Sequence, residues 1–285
     1  MAQHLLAVEA RGTRSQAMTA MRTTALLYHD IVPRLRYEAS GFQGADADIY
    51  KLDCDEFRRH MRRIAAGSGP RPQIITDTDG SEGERRLLLT FDDGGVSAIE
   101  HAAGILAEFN WPGHFFVTTG RIGTAGFLDE QQVRVLRRAG HAIGSHSSTH
   151  PLRMAALSAA QLDREWSESV ARLEDILGEP VAMASIPGGY YSRAVASAAA
   201  QAGVRLLFTS EPVTRTATVD GCLVVGRFSV QQGVSEDWVA AVVADHLLPR
   251  AGRYVAWNGK KLLKAAGGTA WLAARKAILA RRAGR

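Results

Sequence analysis

The sequence has few cysteines and no long apolar run among its 285 residues. Cys54 and Cys222 are its only cysteines, and neither has a second cysteine at metal-site spacing. This scarcity argues against a disulfide framework and favours a reducing, cytoplasmic compartment. No segment approaches the roughly 18 uninterrupted apolar residues of a membrane span. Glu9 ends the apolar run 5–8, which is shorter than the about 7–15 apolar residues of a secretory signal.

Acidic residues are missing from the C-terminal segment 260–285, which contains eight lysines and arginines. Removing these eight charges from the net charge of +5 leaves −3 for the rest of the chain. Four apolar residues of the segment recur at helical spacing: Trp271, Leu272, Ile278 and Leu279. We therefore expect a basic amphipathic helix at 259–285. It is a candidate contact for an anionic membrane surface or for a partner such as a glycosyltransferase, with a solvated helix as the alternative.

Short apolar runs alternate with helical patterns from residue 22 onward. Seven runs are typical of strands: 24–29, 86–91, 113–118, 141–145, 181–186, 204–209 and 222–228. Capping boxes open two intervening helices, at Asp129 with Gln132 and at Ser158 with Gln161. The alternation predicts an α/β fold, a distorted (β/α) barrel of about seven strands with the C-terminal basic helix added. We expect a flexible leader at 1–21 and one folded domain at 22–258.

Two adjacent carboxylates, Asp92 and Asp93, follow the apolar run 86–91 and precede Gly94. Consecutive side chains at a strand end point to opposite sides, so one can bind a metal while the other faces a substrate. Their repulsion raises one pKa unless a cation or hydrogen bonds compensate. An ordinary Asp-Gly turn is the alternative for this motif taken alone.

Two histidines, His146 and His150, follow the run 141–145 with i, i+4 spacing. Both imidazoles of such a pair can reach one metal ion. A carboxylate from another strand end completes a two-His, one-carboxylate site with open positions for water and substrate. Non-haem iron oxygenases use the same ligand set, but usually on a double-stranded β-helix, which the alternating pattern does not predict.

These motifs resemble those of the polysaccharide deacetylases of the NodB-homology type, carbohydrate esterase family four. Residues 90–94 (Thr-Phe-Asp-Asp-Gly) match the family's first motif, and residues 146–150 (His-Ser-Ser-Thr-His) match its second. The pair Tyr28-His29 resembles a segment that opens many bacterial members. The resemblance covers about residues 22–230 and implies that 22–258 is a deacetylase-like catalytic domain.

The resemblance also implies a role for each motif residue. Asp93, His146 and His150 would hold a divalent metal, with zinc first and cobalt, nickel, manganese or iron as alternatives. Asp92 would be the general base that accepts a proton from the attacking water.

The family's third motif, Arg-x-Pro-x-Gly, corresponds to residues 185–189. The N–H of Gly188 is then the expected oxyanion donor. Ser185 stands where the family has the arginine that steadies the catalytic aspartate. Arg227, near the end of the run 222–228, is a candidate replacement.

The family's last motif, Leu-x-x-His, would supply an acid for the leaving amine and is not found. His29 is the better substitute, because a closing barrel brings the first strand beside the last one. His246 lies in a helical pattern and is the weaker candidate. Candidate substrate-binding residues are Tyr190, Tyr191 and Arg227.

The resemblance implies a metal-dependent hydrolase of linear amides other than peptides. It would remove N-acetyl or O-acetyl groups from a sugar, polysaccharide or precursor in exopolysaccharide or cell-envelope metabolism. We expect an acetylated carbohydrate substrate, no nucleic acid, and a cytoplasmic location peripheral to the inner face of the membrane. The alternative is a catalytically weakened, deacetylase-like subunit that binds carbohydrate or joins a complex, because the motif arginine and the last motif are missing.

Overall fold

A curled, mostly parallel β-sheet organises residues 22–75 and 85–259, the part of the chain that the computed structural model describes. In chain order the strands are β1 (Arg22–Tyr28), β2 (Ile31–Val32), β3 (Leu52–Asp53), β4 (Arg85–Phe91), β5 (His114–Val117), β6 (Ala142–Ser145), β7 (Met183–Ser185), β8 (Leu206–Phe208), β9 (Ala217–Val219), β10 (Cys222–Val225) and β11 (Phe228–Ser229). Among these described strands, nine form one sheet in the order β11-β1-β4-β5-β6-β7-β8-β10-β9. Only β9 runs antiparallel to its neighbour, and β2 pairs with β3 separately.

One segment connects the two sides of the curl. β10 pairs with β8, whereas β11 pairs with β1, and only Gly226 and Arg227 separate β10 from β11. The sheet therefore forms a half-barrel, and the predicted α/β distorted barrel is confirmed. The predicted strand 222–228 is split by a bend, and β9 is an addition that the sequence pattern did not indicate.

Helices pack against the sheet. They are α1 (Ala45–Asp48), α2 (Cys54–Ala65), α3 (Ala103–Ala107), α4 (Glu130–Arg138), α5 (Ala159–Leu177), α6 (Arg193–Gln201) and α7 (Glu236–Val243). A π-helical turn leads into α3, and residues 247–259 form a further helix that reaches the last described residue. Both predicted capping boxes are present, at the start of α4 and of α5, and satisfy N–H groups that the first helical turn leaves unpaired.

Alternate strand residues divide between two apolar clusters. Leu87 and Leu89 of β4 belong to the larger cluster, which includes the helices, whereas Leu88 packs with Phe116 in the smaller one. By the same alternation, Asp92 continues the face of Leu88. The first carboxylate after β4 therefore points into the curl of the sheet.

The carboxyl ends of the parallel strands lie at one edge of the sheet, where such folds place their chemistry. His29 follows β1, Asp92 follows β4 and His146 follows β6 directly, while Arg227 follows β10 after one residue. Residues far apart in sequence thereby reach the same edge.

The predicted leader, residues 1–21, lies outside the described residues. The same is true of the predicted basic helix at 259–285 beyond its first residue. Within 22–75 and 85–259, none of the helices combines the length and the apolar composition that crossing a membrane requires.

Replacing Gly226 with alanine should destabilise the bend between β10 and β11. A Cβ atom there would lie 2.5 Å from the carbonyl oxygen of Glu211 and 2.6 Å from that of Val213, and both oxygens belong to the backbone. We expect a loss of about 1–3 kcal/mol, seen as a lower Tm in thermal unfolding. Gly104→Ala is the matched control, because its Cβ meets nothing within 4 Å on an exposed position of α3. Equal Tm values for the two variants would contradict the tight bend.

Candidate active site

Three side chains converge at the carboxyl edge of the sheet: Asp93, His146 and His150. Oδ1 of Asp93 lies 3.4 Å from Nε2 of His146 and 3.3 Å from Nε2 of His150. One potential ligand atom from each residue lies within 4.8 Å of the other two. Asp93 and His146 are buried and His150 is partly exposed, so the cluster reaches the surface at His150.

The spacing of this cluster fits a divalent metal ion. Two ligand bonds of about 2.0–2.1 Å at a tetrahedral angle place their ligand atoms roughly 3.3 Å apart. Nδ1 of His146 lies 3.0 Å from the carbonyl oxygen of Ser185, so we assign the ring proton to Nδ1 and a lone pair to Nε2. Burial would raise the pKa of Asp93, but its interactions with the two neighbouring imidazoles hold that pKa well below its usual value. The cluster thus offers an ionised carboxylate and imidazole nitrogens.

Left-handed backbone conformations concentrate in the cluster. φ is 77° at Asp93, 63° at Ser147 and 59° at His150, and each such non-glycine residue costs about 1–2 kcal/mol. Side-chain oxygens hold the loop: Oγ of Ser145 accepts from the N–H of Ser147, and Oγ of Ser147 from the N–H of His150, both at 3.1 Å. The strained residues include two of the three candidate ligands, a distribution typical of functional sites.

A second carboxylate, Asp92, stands beside the cluster and is held by Arg227. Nη1 and Nη2 of Arg227 donate to Oδ1 and Oδ2 of Asp92 at 2.7 and 2.8 Å. The Ser185 hydroxyl lies 3.1 Å from both carboxylate oxygens and accepts from Nη2 of Arg227 at 2.7 Å. Burial would raise the pKa of Asp92, but the charge and hydrogen bonds of Arg227 outweigh it and the pKa is lowered. Asp92 is therefore ionised and fixed in orientation.

The position of Arg227 corrects its predicted role in binding substrate. Its side chain is 0% exposed. Nε donates to the carbonyl oxygen of Thr209 at 2.9 Å, and the guanidinium carbon lies 5.7 and 5.9 Å from the ring centres of Phe116 and Phe208. Because the guanidinium is enclosed and its donors are used inside the protein, it cannot contact a sugar. Its contact with Asp92 fits the other predicted role, replacement of the arginine missing at Ser185.

His29 follows β1 at the same edge. Its ring centre lies 4.6 Å from that of Tyr50, and its buried Nδ1 has no hydrogen-bond partner among the described residues. Burial lowers the pKa of His29, while the negative charges of Asp93 and Asp92 act in the opposite direction. A neutral imidazole is thus placed near both carboxylates.

His246 lies at the other edge of the sheet. It is exposed and adjoins Asp245, which forms an ion pair with Arg22 at the amino end of β1. The cluster of Asp93, His146 and His150 is at the carboxyl ends, so His246 cannot act as an acid there.

The turn Pro187–Gly189 carries the predicted oxyanion donor. Gly188 is exposed with φ of 63°, and a Cβ atom there would lie 3.4 Å from the Tyr190 ring. Tyr190 and Tyr191 are both partly buried, and Tyr191 packs against the core. The oxyanion role of Gly188 and the substrate-binding role of the two tyrosines stay predictions.

Three further residues contact the candidate site residues, and no sequence motif pointed to them. Phe42 packs on His150 with ring centres 4.5 Å apart, Tyr50 packs on His29, and Ser185 bridges Arg227 and Asp92. Phe42 and Tyr50 lie in the irregular connection between β2 and β3, where no periodic pattern points to the site. Ser185 stands where the family motif has an arginine, so the sequence predicted the loss of a contact to Asp92. The structure instead shows that the serine hydroxyl contacts both Asp92 and Arg227.

The curled sheet, with Asp93, His146 and His150 at its carboxyl edge, resembles known proteins in both sequence and fold. Residues 79–207 match the family model described as polysaccharide deacetylase. YxkH of Bacillus subtilis (strain 168), a candidate polysaccharide deacetylase, is 24% identical over 185 residues. That match covers 63% of this chain and 66% of YxkH, just under two thirds of the relative's length. Residues 79–207 therefore match a polysaccharide deacetylase domain, which confirms the resemblance seen in the motifs.

Solved structures share the fold. A Streptococcus pyogenes deacetylase, PplD, superposes with a TM-score of 0.62 at 20% identity, over 77% of this chain and 96% of that one. A polysaccharide deacetylase from Bacillus cereus gives 0.65 at 17% identity, over 79% and 69%. IcaB from Ammonifex degensii gives 0.61 at 21% identity, over 79% and 97%. The family-model match ends before Arg227, so the evidence for that residue is its own geometry.

If Asp92 is the base of a deacetylase, as the resemblance implies, replacing Arg227 with lysine should lower the kcat for acetate release and shift its pH dependence. Lysine keeps the charge but cannot form two parallel hydrogen bonds to Asp92. The Asp92 pKa should rise, so the acidic limb of the pH–kcat profile should move to higher pH. Arg205→Lys, on the exposed segment before β8, is the control. An unshifted profile in Arg227→Lys would refute the proposed support of Asp92.

Two further variants distinguish the effect of Arg227 on Asp92 from its contribution to the stability of the fold. Arg227→Ala leaves a buried carboxylate unpaired and should cost about 3–5 kcal/mol of folding free energy. Ser185→Arg combined with Arg227→Ser returns a guanidinium to the position that the family motif indicates, and should recover part of the kcat.

Proposed function

We propose that this protein is a metal-dependent deacetylase that hydrolyses N-acetyl or O-acetyl groups on a sugar, polysaccharide or precursor. One observation carries the proposal: the ion-paired Asp92 stands beside the Asp93, His146 and His150 cluster, with its Oδ2 3.9 Å from Nε2 of His146. Hydrolysis of an acetyl group by water needs a Lewis acid and a separate base, and this edge of the sheet offers residues for both.

The contacts described above support a separate catalytic role for each residue. A divalent ion held by Asp93, His146 and His150 would polarise the acetyl carbonyl and lower the pKa of water at the site. Asp92 accepts the proton of the attacking water, because Arg227 keeps it ionised and oriented. The N–H of Gly188 is assigned to the developing oxyanion.

His29 is assigned the proton for the leaving group. An amine leaves readily only after protonation, and imidazole is the side chain best suited to donate near neutral pH. Packing on Tyr50 orients the ring, and its place at the carboxyl edge beside the proposed base supports this role.

Zinc is the proposed metal. A carboxylate oxygen and two imidazole nitrogens are common zinc ligands, and three protein ligands leave a position for water. Cobalt, nickel, manganese and iron accept the same donors and are the alternatives. The reaction class is hydrolysis of carbon–nitrogen bonds in linear amides other than peptides.

An acetylated carbohydrate of exopolysaccharide or cell-envelope metabolism is the proposed substrate, supported by the polysaccharide deacetylase family match. The proposed location is the cytoplasm, at the inner face of the membrane. The basic segment 260–285 supports a contact there with anionic lipid or with a glycosyltransferase.

Ser185 supports a second candidate, a catalytically weakened subunit that binds carbohydrate. Arg227 argues against it, because this residue gives Asp92 the guanidinium that position 185 lacks. The curled parallel sheet argues against an oxygenase, whose ligands usually sit on a double-stranded β-helix.

Asp92→Asn should retain zinc and lose acetate release. Removing the base should lower kcat by roughly 10²–10⁴ on N,N′,N″,N‴-tetraacetylchitotetraose, while the three ligands are untouched. Zinc content is measured by atomic emission, and acetate by an enzyme-coupled assay. Asp175→Asn, an exposed position of α5, is the control. Treatment of the wild type with a chelator should abolish release, and added zinc should restore it; acetate release that survives chelation would refute the metal assignment.

His29→Gln should lose amide hydrolysis far more than ester hydrolysis. 4-Nitrophenolate leaves without protonation, so 4-nitrophenyl acetate does not need the acid that an amine needs. We expect kcat on the chitotetraose to fall at least about tenfold more than kcat on the ester. An equal fall on both substrates would indicate a structural role for His29.

A further inference from the structure

Two exposed arginines, Arg121 and Arg153, flank the mouth of the metal cluster and together form the cationic rim. Neither forms an ion pair with an acid in the part of the chain that the structure describes. On the outer helices, by contrast, arginines such as Arg58 and Arg63 are paired with acidic side chains. The rim therefore presents unneutralised positive charge beside the reacting position.

Arg121 is fixed to the loop that carries the metal ligands. It ends the turn Thr119–Arg121, whose first two N–H groups donate to the carbonyl oxygens of residues 147 and 148 at 3.2 and 2.8 Å. Its guanidinium carbon lies 5.4 Å from the ring centre of Phe42, which in turn packs on His150. Arg121 is thus separated from a candidate ligand by a single aromatic ring.

Arg153 stands beside the oxyanion turn. It lies three residues after His150, and its guanidinium carbon is 5.7 Å from the ring centre of Tyr190. The same ring approaches Gly188. A sugar whose acetyl group lies between the candidate metal ligands and Gly188 would therefore lie near Arg153.

Glu165 also contacts the ligand loop, and it forms no ion pair with Arg121 or Arg153 in the part of the chain that the structure describes. Both its carboxylate oxygens accept hydrogen bonds from Thr149, one from the N–H at 2.9 Å and one from the hydroxyl at 2.5 Å. The guanidinium groups of Arg121 and Arg153 pack against aromatic rings. The N–H groups at the edge of each guanidinium stay available to a ligand.

We propose that the acetylated carbohydrate taken by this site is anionic, with a carboxylate or phosphate on the same sugar or an adjoining unit. The planar fork of arginine matches both groups with paired hydrogen bonds, which a neutral glycan does not use. The inference rests on the proposed function and adds the charge of the substrate to it.

Binding to the zinc-loaded Asp92→Asn variant tests the charge preference without turnover. The probes are a heparosan tetrasaccharide, in which N-acetylglucosamine alternates with glucuronate, UDP-N-acetylglucosamine, and the neutral tetraacetylchitotetraose. By calorimetry at low salt, at least one anionic probe should bind about tenfold more tightly than the neutral one, and added salt should reduce the difference. Tighter binding of the heparosan tetrasaccharide would indicate recognition of a carboxylate, and tighter binding of UDP-N-acetylglucosamine would indicate recognition of a phosphate.

Arg121→Gln and Arg153→Gln, each added to that variant, should reduce the preference roughly three- to fivefold. Arg138→Gln, an equal charge change at the end of α4, should leave the preference intact. In enzyme with Asp92 intact, the rim variants should raise KM for an anionic substrate more than they lower kcat. Equal or tighter binding of the neutral probe would overturn the inference. Failure of the zinc-loaded wild type to release acetate from any probe would instead count against the proposed function.

Discussion

The buried ion pair between Asp92 and Arg227 is the interaction on which the site depends. A carboxylate removed from water is unfavourable unless a cation and hydrogen bonds replace its hydration, and Arg227 supplies two donors in the geometry that carboxylates accept. Without that partner, burial would raise the Asp92 pKa and disfavour the ionised carboxylate that the proposed mechanism uses as its base. The pair therefore has a chemical consequence beyond its contribution to folding.

The same pair links the site to the closure of the sheet. Arg227 lies in the two-residue bend where one segment leaves β8 and joins β1, so the backbone that closes the curl also places the guanidinium. Gly226 permits this bend, because the carbonyl groups of Glu211 and Val213 leave no room for a Cβ atom. A change in the bend would alter the fold and the base together.

Sequence patterns predicted the strands, the capping boxes and the convergence of a carboxylate with His146 and His150, because each depends on local spacing or on the rule that parallel strands end at one edge. The choice of Asp93 over Asp92 came from the family resemblance. The split of strand 222–228 could not be predicted this way, since it depends on pairing with two distant strands. The burial of Arg227 was missed for a related reason. Its neighbours Phe116 and Phe208 come from other strands, and nothing local distinguishes an inward arginine from an exposed one.

The proposed catalytic residues and the proposed substrate-binding arginines lie in different kinds of structural element. Asp92, His146 and Arg227 lie at or beside strand ends, where the sheet limits their movement, whereas Arg121 and Arg153 lie in turns that hydrogen bonds and aromatic contacts attach to the ligand loop. Loops tolerate substitution more readily than sheet edges. The charge presented to a substrate can therefore change while Asp93, His146, His150 and the proposed base stay in place, so proteins that share this edge of the sheet need not share a substrate.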